Sequence, residues 1–258
     1  MPIAGKVLEL AVRRYWTERF DLKLSSWERP GSKLMRDEIF EGSDEIYFYH
    51  FGDQIVLRMD PAKVNWLNWP ADMKSRKLGS DELSSMIRKG YEIRHGEDGL
   101  NFYLDPDKFR PAPTIADIKT RPVDPVADDA LLREFLASCT EAEVDEAEIY
   151  LNEPDAVIFG GFHDGRMVSY GGHRYWGKNI ADIGVLTHPD FRHRGLGKSI
   201  VSTLCEWCIA NDVIPMYRVT ADHFRSRKIA EALGFEMLVR VEVMHIGFAG
   251  EIISSSTP

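Results

Sequence analysis

Five prolines fall within the 21 residues DPDKFRPAPTIADIKTRPVDP (105–125), and they constrain this 258-residue chain more than any other feature. Pro106, Pro111, Pro113, Pro122 and Pro125 each fix φ and remove a backbone donor. No continuous helix or central strand can run through them. The run therefore predicts a connection, with a boundary near residue 115 between domains 1–115 and 116–258. The length suits two domains at roughly 100–200 residues each. Charge divides at the same place. Residues 1–115 hold 18 Lys+Arg against 19 Asp+Glu, whereas 116–258 hold 14 against 22 and so carry most of the net charge of -9. Residues 117–155 alone set 12 acids against Lys119, Arg121 and Arg133, which a pair of solvated helix faces would explain.

A net negative chain argues against nucleic acid as the main partner, because phosphate binding needs a basic face. Glu9 interrupts the one short apolar run before Arg13 and Arg14, so no signal-peptide core is read. No stretch approaches the roughly 20 apolar residues of a spanning helix, and no membrane partner is expected. Three cysteines, an odd number, do not suggest a disulfide framework; a reducing cytoplasm is the expected compartment.

In the first part, VLELAVRRYWTERF (7–20) has the periodicity of an amphipathic helix. IYFYHF (46–51) and QIVLR (54–58) flank Gly52-Asp53 and predict a hairpin. DELSSMIRKG (81–90) predicts a short helix with Ser80 as N-cap. YEIRH (91–95) and LNFYL (100–104), around GEDG, predict a second hairpin. Trp66 and Trp69 serve core packing or line a pocket. The result is a small α+β unit without recognisable chemistry.

The second part predicts an α/β layer in the order β-α-α-β-β-β-α-β-α-β. IKTRPV (118–123) is a strand that its proline confines to an edge or an end. A helix follows at 124–139, and a second helix or loop-helix at 141–153. AVIFGGF (156–162) and RMVSYGG (166–172) form a hairpin around Asp164-Gly165. Strand ADIGVLT (181–187), helix 195–210, strand PMYRVT (215–220), helix 224–235 and strand 237–246 complete it.

The chemistry concentrates in Thr187-His188-Pro189-Asp190-Phe191-Arg192-His193-Arg194-Gly195-Leu196-Gly197-Lys198. A strand ends, a basic glycine-containing loop follows, and a helix opens. N–H groups at a helix start lack partners, and the dipole there favours anions. Gly195 and Gly197 admit close backbone approach. Arg192, Arg194 and Lys198 add charge that can pair with phosphate oxygens. The loop has neither the G-x-G-x-x-G spacing of dinucleotide folds nor the G-K-[ST] of a P-loop. A nucleotide-binding enzyme or nucleic-acid factor is accordingly the weakest alternative.

The segment 181–198 resembles the acyl-CoA-binding motif of the GNAT superfamily of N-acyltransferases, [Q/R]-x-x-G-x-[G/A], with Arg192, Gly195 and Gly197 in its fixed places. A second family pattern, N-x-x-S followed after six residues by L-G-F, is matched by Ser226 and Leu233-Gly234-Phe235, with His223 where the family has asparagine. The resemblance covers about 116–246. It implies a mixed, mostly antiparallel sheet flanked by helices, preceded by the α+β domain, which could be a degenerate copy of the same fold. It also implies acetyl-CoA as cosubstrate. Main-chain groups of Val185, Leu186 and Thr187 would hold the pantetheine arm. N–H groups of His193, Arg194, Gly195, Leu196, Gly197 and Lys198 would hold the pyrophosphate. His223 and Ser226 would flank the cofactor, with Arg225, Arg227 and Lys228 near its nucleotide phosphates.

The resemblance further implies transfer of an acetyl group to a primary amine by direct attack in a ternary complex. Such an attack needs a proton acceptor. Asp182 is the nearest candidate, with His188 and His173 as titratable alternatives and Tyr170 or Tyr175 as thiolate donors. The tyrosine that often protonates the thiolate in the family falls here at Ala230. That departure motivates the alternative of a non-catalytic acyl-CoA-binding or regulatory module. The acceptor would enter beside the acidic helices of 124–155, so a cationic small-molecule or peptide amine is expected. No metal is expected, and the oligomeric state is not specified by the sequence. CEWC (205–208) falls in mid-helix and lacks a second Cys/His pair, so its cysteines are expected to be buried core residues.

Overall fold

The computed structural model describes residues 3–28, 30–70, 72, 78, 80–149, 151 and 155–249. Two compact units emerge. One contains Phe102–Arg218 and Phe224–Glu236, with the chain's start up to Leu8; the other contains Glu9–Asn101, Val219–His223 and the chain from Met237 onward. The division therefore does not coincide with a single cut near 115. The last strand, β10 (Glu236–Phe248), joins the N-terminal unit because it pairs antiparallel with β2 (Glu45–Phe51), Val241 opposite Tyr49.

In the unit that carries the loop, the strand order is β9-β8-β7-β6-β5. The strands are β5 (Lys119–Pro122), β6 (Ile158–His163), β7 (Arg166–Trp176), β8 (Ile180–Thr187) and β9 (Ile214–Thr220). All neighbours are antiparallel except β8 and β9, which run parallel. The proline-bearing β5 takes the edge, as its missing donor demands. Asp164 and Gly165, at φ 48° and 81°, make the tight turn of the β6–β7 hairpin.

Helices α3 (Asp129–Ala137) and α4 (Glu141–Glu146) carry the acidic segment. α3 starts later than the sequence suggested, since Asp124 turns the chain by accepting from Val126 and Ala127 N–H, and α4 ends at Glu146, shortly before Glu148 at φ 47°. Part of the expected 141–153 helix lies outside the described residues. Leu132 and Phe135 of α3 pack with Tyr170, Leu186 and Met167. Helix α5 (Leu196–Ala210) lies against Gly171, where a Cβ would come within 2.9 Å of Leu204 Cδ1 and closer still to Ile200. Helix α6 (Phe224–Leu233) ends at Gly234, whose φ of 97° no β-carbon residue adopts cheaply.

In the N-terminal unit the order is β1-β3-β2-β10-β4, with β1 (Gly31–Arg36), β3 (Gln54–Met59) and β4 (Tyr91–Tyr103). The β2–β3 hairpin forms as expected, with Gly52 at φ 64°. The hairpin expected around GEDG does not form. Residues 91–103 are one strand, beside the equally long β10. Gly96 lies against that strand: a Cβ there would sit 3.0 Å from Val243 O. The glycines thus mark close strand approach rather than a turn. Helix α1 (Ile3–Arg19) buries Val12 and Trp16, and Trp16 packs with Phe20, Tyr49 and Phe51. Helix α2 (Ser80–Met86) closes the end of a core built on Phe48, Leu57 and Met244. Trp66 stacks on Tyr91 at 4.2 Å, a packing role.

Candidate functional site

The loop between β8 and α5 is built by its own hydrogen bonds. His188 is buried, and its Nδ1 accepts from Asp190 N–H at 3.2 Å, capping the short turn Pro189–Phe191. Arg192 Nε donates to Thr187 O at 3.1 Å and closes the loop across its neck. His193 and Gly195 then adopt left-handed φ of 63° and 84°. Alternation of left- and right-handed residues turns successive N–H groups toward one concavity, which suits an anion. Gly195 is the N-cap of α5 and has no side chain with which to cap it. The first-turn N–H groups of α5 are therefore left for a ligand.

Two of the three expected phosphate cations have other partners. Arg192 lies 2.7 Å from Glu143 of α4, and Arg194 pairs with Asp117. Glu143 also accepts from Thr140 N–H at 3.0 Å in the capping box of α4, and the two contacts pull its pKa from 4.5 down to about 2. Arg192 thus shapes the cradle rather than reaching out of it. Lys198, by contrast, makes no ion pair among the described residues.

Val185 and Thr187 face the same gap as Gly197. A Cβ on Gly197 would stand 3.5 Å from Thr187 Oγ1, 3.5 Å from Ile229 Cδ1 of α6 and 3.8 Å from Val185 Cγ2. Leu186 faces the other way, into the core. The parallel ladder of β8 with β9 covers only Ile180↔Ile214 to Asp182↔Met216, so the strands part beyond Asp182. Ser226, at the start of α6, hydrogen-bonds the buried Tyr217 hydroxyl, whose pKa burial pushes up to about 12. His223 is counted with the N-terminal unit rather than with the loop.

Asp182 sits where the strands part and is 1% exposed. Its Oδ2 accepts from Arg218 Nε at 3.0 Å and Nη2 at 2.8 Å, with Arg174 Nε at 3.7 Å. Arg218 also pairs with Glu148 and covers the Trp176 ring at 4.8 Å. Burial raises the Asp182 pKa, and Arg218 opposes that shift. The sequence reading missed Arg218, Arg174, Glu148 and Glu143, because pairing with them follows from strand register and helix docking. Tyr170 is fully buried in the core, and its ring lies over Gly172. His173 is fully buried on the opposite face, 5.2 Å from the Trp207 ring, and burial lowers its pKa to about 4. Cys205 and Cys208 are buried free thiols in α5, as expected for core residues.

The unit thus combines parallel strands that part beyond Asp182 with a glycine-started helix whose N-cap carries no side chain. Residues 126–235 match the family model described as the acetyltransferase (GNAT) family, so this segment of the chain carries a GNAT-like domain. The family's general chemistry is acyl transfer from an acyl-CoA to an amine.

Similar solved structures include a GNAT acetyltransferase from Novosphingobium aromaticivorans, with 19% identity over 62% of this chain and 69% of that one, at TM-score 0.44. A GNAT acetyltransferase from Colwellia psychrerythraea shares 15% identity over 60% and 57%, at 0.47. A tandem GNAT protein from the clavulanic acid biosynthesis pathway shares 17% over 68% and 60%, at 0.49. No curated protein matches the chain. Among the described residues no helix is long and apolar enough to cross a membrane.

Proposed function

We propose that the loop-bearing unit is an N-acetyltransferase that uses acetyl-CoA and acts on a primary amine in a ternary complex. The observation that carries this reading is the left-handed pair His193 and Gly195 at the uncapped start of α5. Its N–H groups fit a diphosphate, and Lys198 supplies a cation beside them. The parted edge of β8 at Val185–Thr187 offers main-chain groups to a pantetheine amide. Ser226, at the start of α6, lines the cofactor's flank.

The acetyl thioester supplies an electrophilic carbonyl carbon. The amine nitrogen attacks it, the C–N bond forms, the C–S bond breaks, and the proton lost by nitrogen balances the charge of the departing thiolate. Asp182 is the carboxylate nearest the parting strands. With Oδ2 held by Arg218, it takes that proton through water. His188 and Tyr170 have no part in this scheme, because His188 caps its own turn and Tyr170 is enclosed by core residues.

The acceptor we propose is a cationic small-molecule or peptide amine. Its pull is weaker than the sequence charge implies. Asp117, Asp128, Asp129, Glu134, Glu143 and Glu148 are all paired with arginines. Among the described residues of this segment, Asp124, Glu141, Asp145 and Asp155 make no ion pair and remain to supply the field. A cytoplasmic location, with neither nucleic acid nor membrane as partner, completes the proposal.

Calorimetric titration with acetyl-CoA, alongside thiol release over a panel of polyamines, aminoglycosides and lysyl peptides, tests it. Gly197→Val should abolish acetyl-CoA binding by filling the gap beside Ile229 and Thr187. Acceptance of an anionic amino acid alone would overturn the proposed acceptor. Ala230, fully buried where the family has its tyrosine, favours the second reading, an acyl-CoA-binding module. Tight binding without acceptor-dependent thiol release would establish that one instead.

A further inference from the structure

Outside the loop-bearing unit, four side chains with metal-ligand chemistry converge on neighbouring strands of the N-terminal unit. They are His50 on β2, His95 and Asp98 on β4, and Glu242 on β10. One ring nitrogen of His95, one oxygen of Asp98 and one of Glu242 all lie within 4.8 Å of one another. His95 Nε2 is 3.5 Å from Asp98 Oδ1, and its Nδ1 is 3.6 Å from Glu242 Oε1. His50 Nε2 stands 3.0 Å from the other oxygen, Oε2.

Glu242 is 4% exposed. A buried carboxylate is costly unless a cation or a full set of donors meets it. Among the described residues, the ion-pair partners at its oxygens are two imidazoles, those of His50 and His95. Arg240, two residues away on the same strand, gives its guanidinium to Asp98 instead, Nε lying 3.1 Å from Oδ2. That clamp leaves Asp98 Oδ1 buried, facing His95 and without a hydrogen-bond donor. The arrangement therefore brings carboxylate oxygens of Asp98 and Glu242 together with two imidazoles.

We propose that His95, Asp98 and Glu242, completed by His50, bind a divalent transition ion of the Zn²⁺ class. The mixed nitrogen and oxygen donor set suits that ion. All four ligands come from the protein and join β2, β4 and β10, so the site is structural. It ties the strand at residues 95–98 to the late strand at residue 242. None of these residues takes part in the proposed acyl transfer, and the two proposals stand or fall separately.

The test uses the full chain, stripped of metal with a chelator. Titration with Zn²⁺ should show one tight site per chain. Co²⁺ should give the visible bands of a four-coordinate ion, displaced by Zn²⁺. Zn²⁺ should raise the thermal midpoint by about 4 °C or more, because it binds only the folded state. His95→Ala and Glu242→Gln should each weaken binding at least tenfold and lose the thermal gain. A Cys205→Ser/Cys208→Ser double variant should keep both. Should Glu242→Gln fail to fold, Asp98→Asn provides the same comparison at a more exposed position. Absence of a one-to-one site in the wild type, or unchanged binding in His95→Ala and Asp98→Asn, would overturn the proposal.

Discussion

Arg192, the basic residue of the loop signature, lies 2.7 Å from Glu143, whose carboxylate also closes the capping box of α4. One carboxylate thus ties the start of the acidic helix to the neck of the proposed diphosphate cradle. Arg192→Ala should therefore act by loosening the loop rather than by removing a phosphate contact. Acetyl-CoA affinity should fall about tenfold, near 1.4 kcal/mol. Glu143→Gln should produce most of the same loss although it touches no ligand. Titration calorimetry on both variants checks this; full affinity in Glu143→Gln would refute it.

Acid should also expose that pair. The Glu143 pKa is lowered from 4.5 to about 2, so its contribution is complete above about 4.5 and disappears as pH falls through about 2. Thermal midpoints of the wild type and Glu143→Gln should converge across that window.

His173 titrates in a different window. Burial holds its pKa near 4, below the ordinary 6.5, so between those values the unfolded chain binds the extra proton. Stability from this site is complete above about 6.5 and falls as the pH drops toward 4, by on the order of 1–3 kcal/mol. His173→Phe should flatten that part of the midpoint-against-pH curve. An unchanged slope would show that His173 is not the group responsible.

Arg218→Ala removes two hydrogen bonds from the buried Asp182 carboxylate and leaves Arg174 at 3.7 Å. Denaturant unfolding should show a loss of roughly 3 kcal/mol, since one partner of a buried pair is removed. The double variant Asp182→Asn/Arg218→Gln should recover part of it. Additive losses in the two single variants would argue against the coupling.

Gly234→Ala should destabilise the loop-bearing unit by roughly 2 kcal/mol or more. Its φ is 97°, and a Cβ would run into the Lys108 carbonyl. Gly195→Asn should cost far less, because nothing lies within 4 Å of that Cβ position and asparagine tolerates left-handed backbone.

The amino-acid sequence alone determined what depends on a few consecutive residues. The glycine-started helix at 195–197, the Asp164-Gly165 turn, the edge position of the strand ending at Pro122 and the chain order of the loop-bearing unit follow from local φ requirements and periodicity. Tertiary structure decided what depends on register between distant strands. The glycines of GEDG look like a turn in isolation, yet they lie in one continuous strand beside β10. The arginines at 192 and 194 look free for phosphate, yet Glu143 and Asp117 hold them. Asp182 meets Arg218 because the β8–β9 ladder sets Asp182 opposite Met216, two residues before it. Local backbone preference acts within a turn or two of chain, whereas a side chain's charge partner is fixed only once strands and helices have packed.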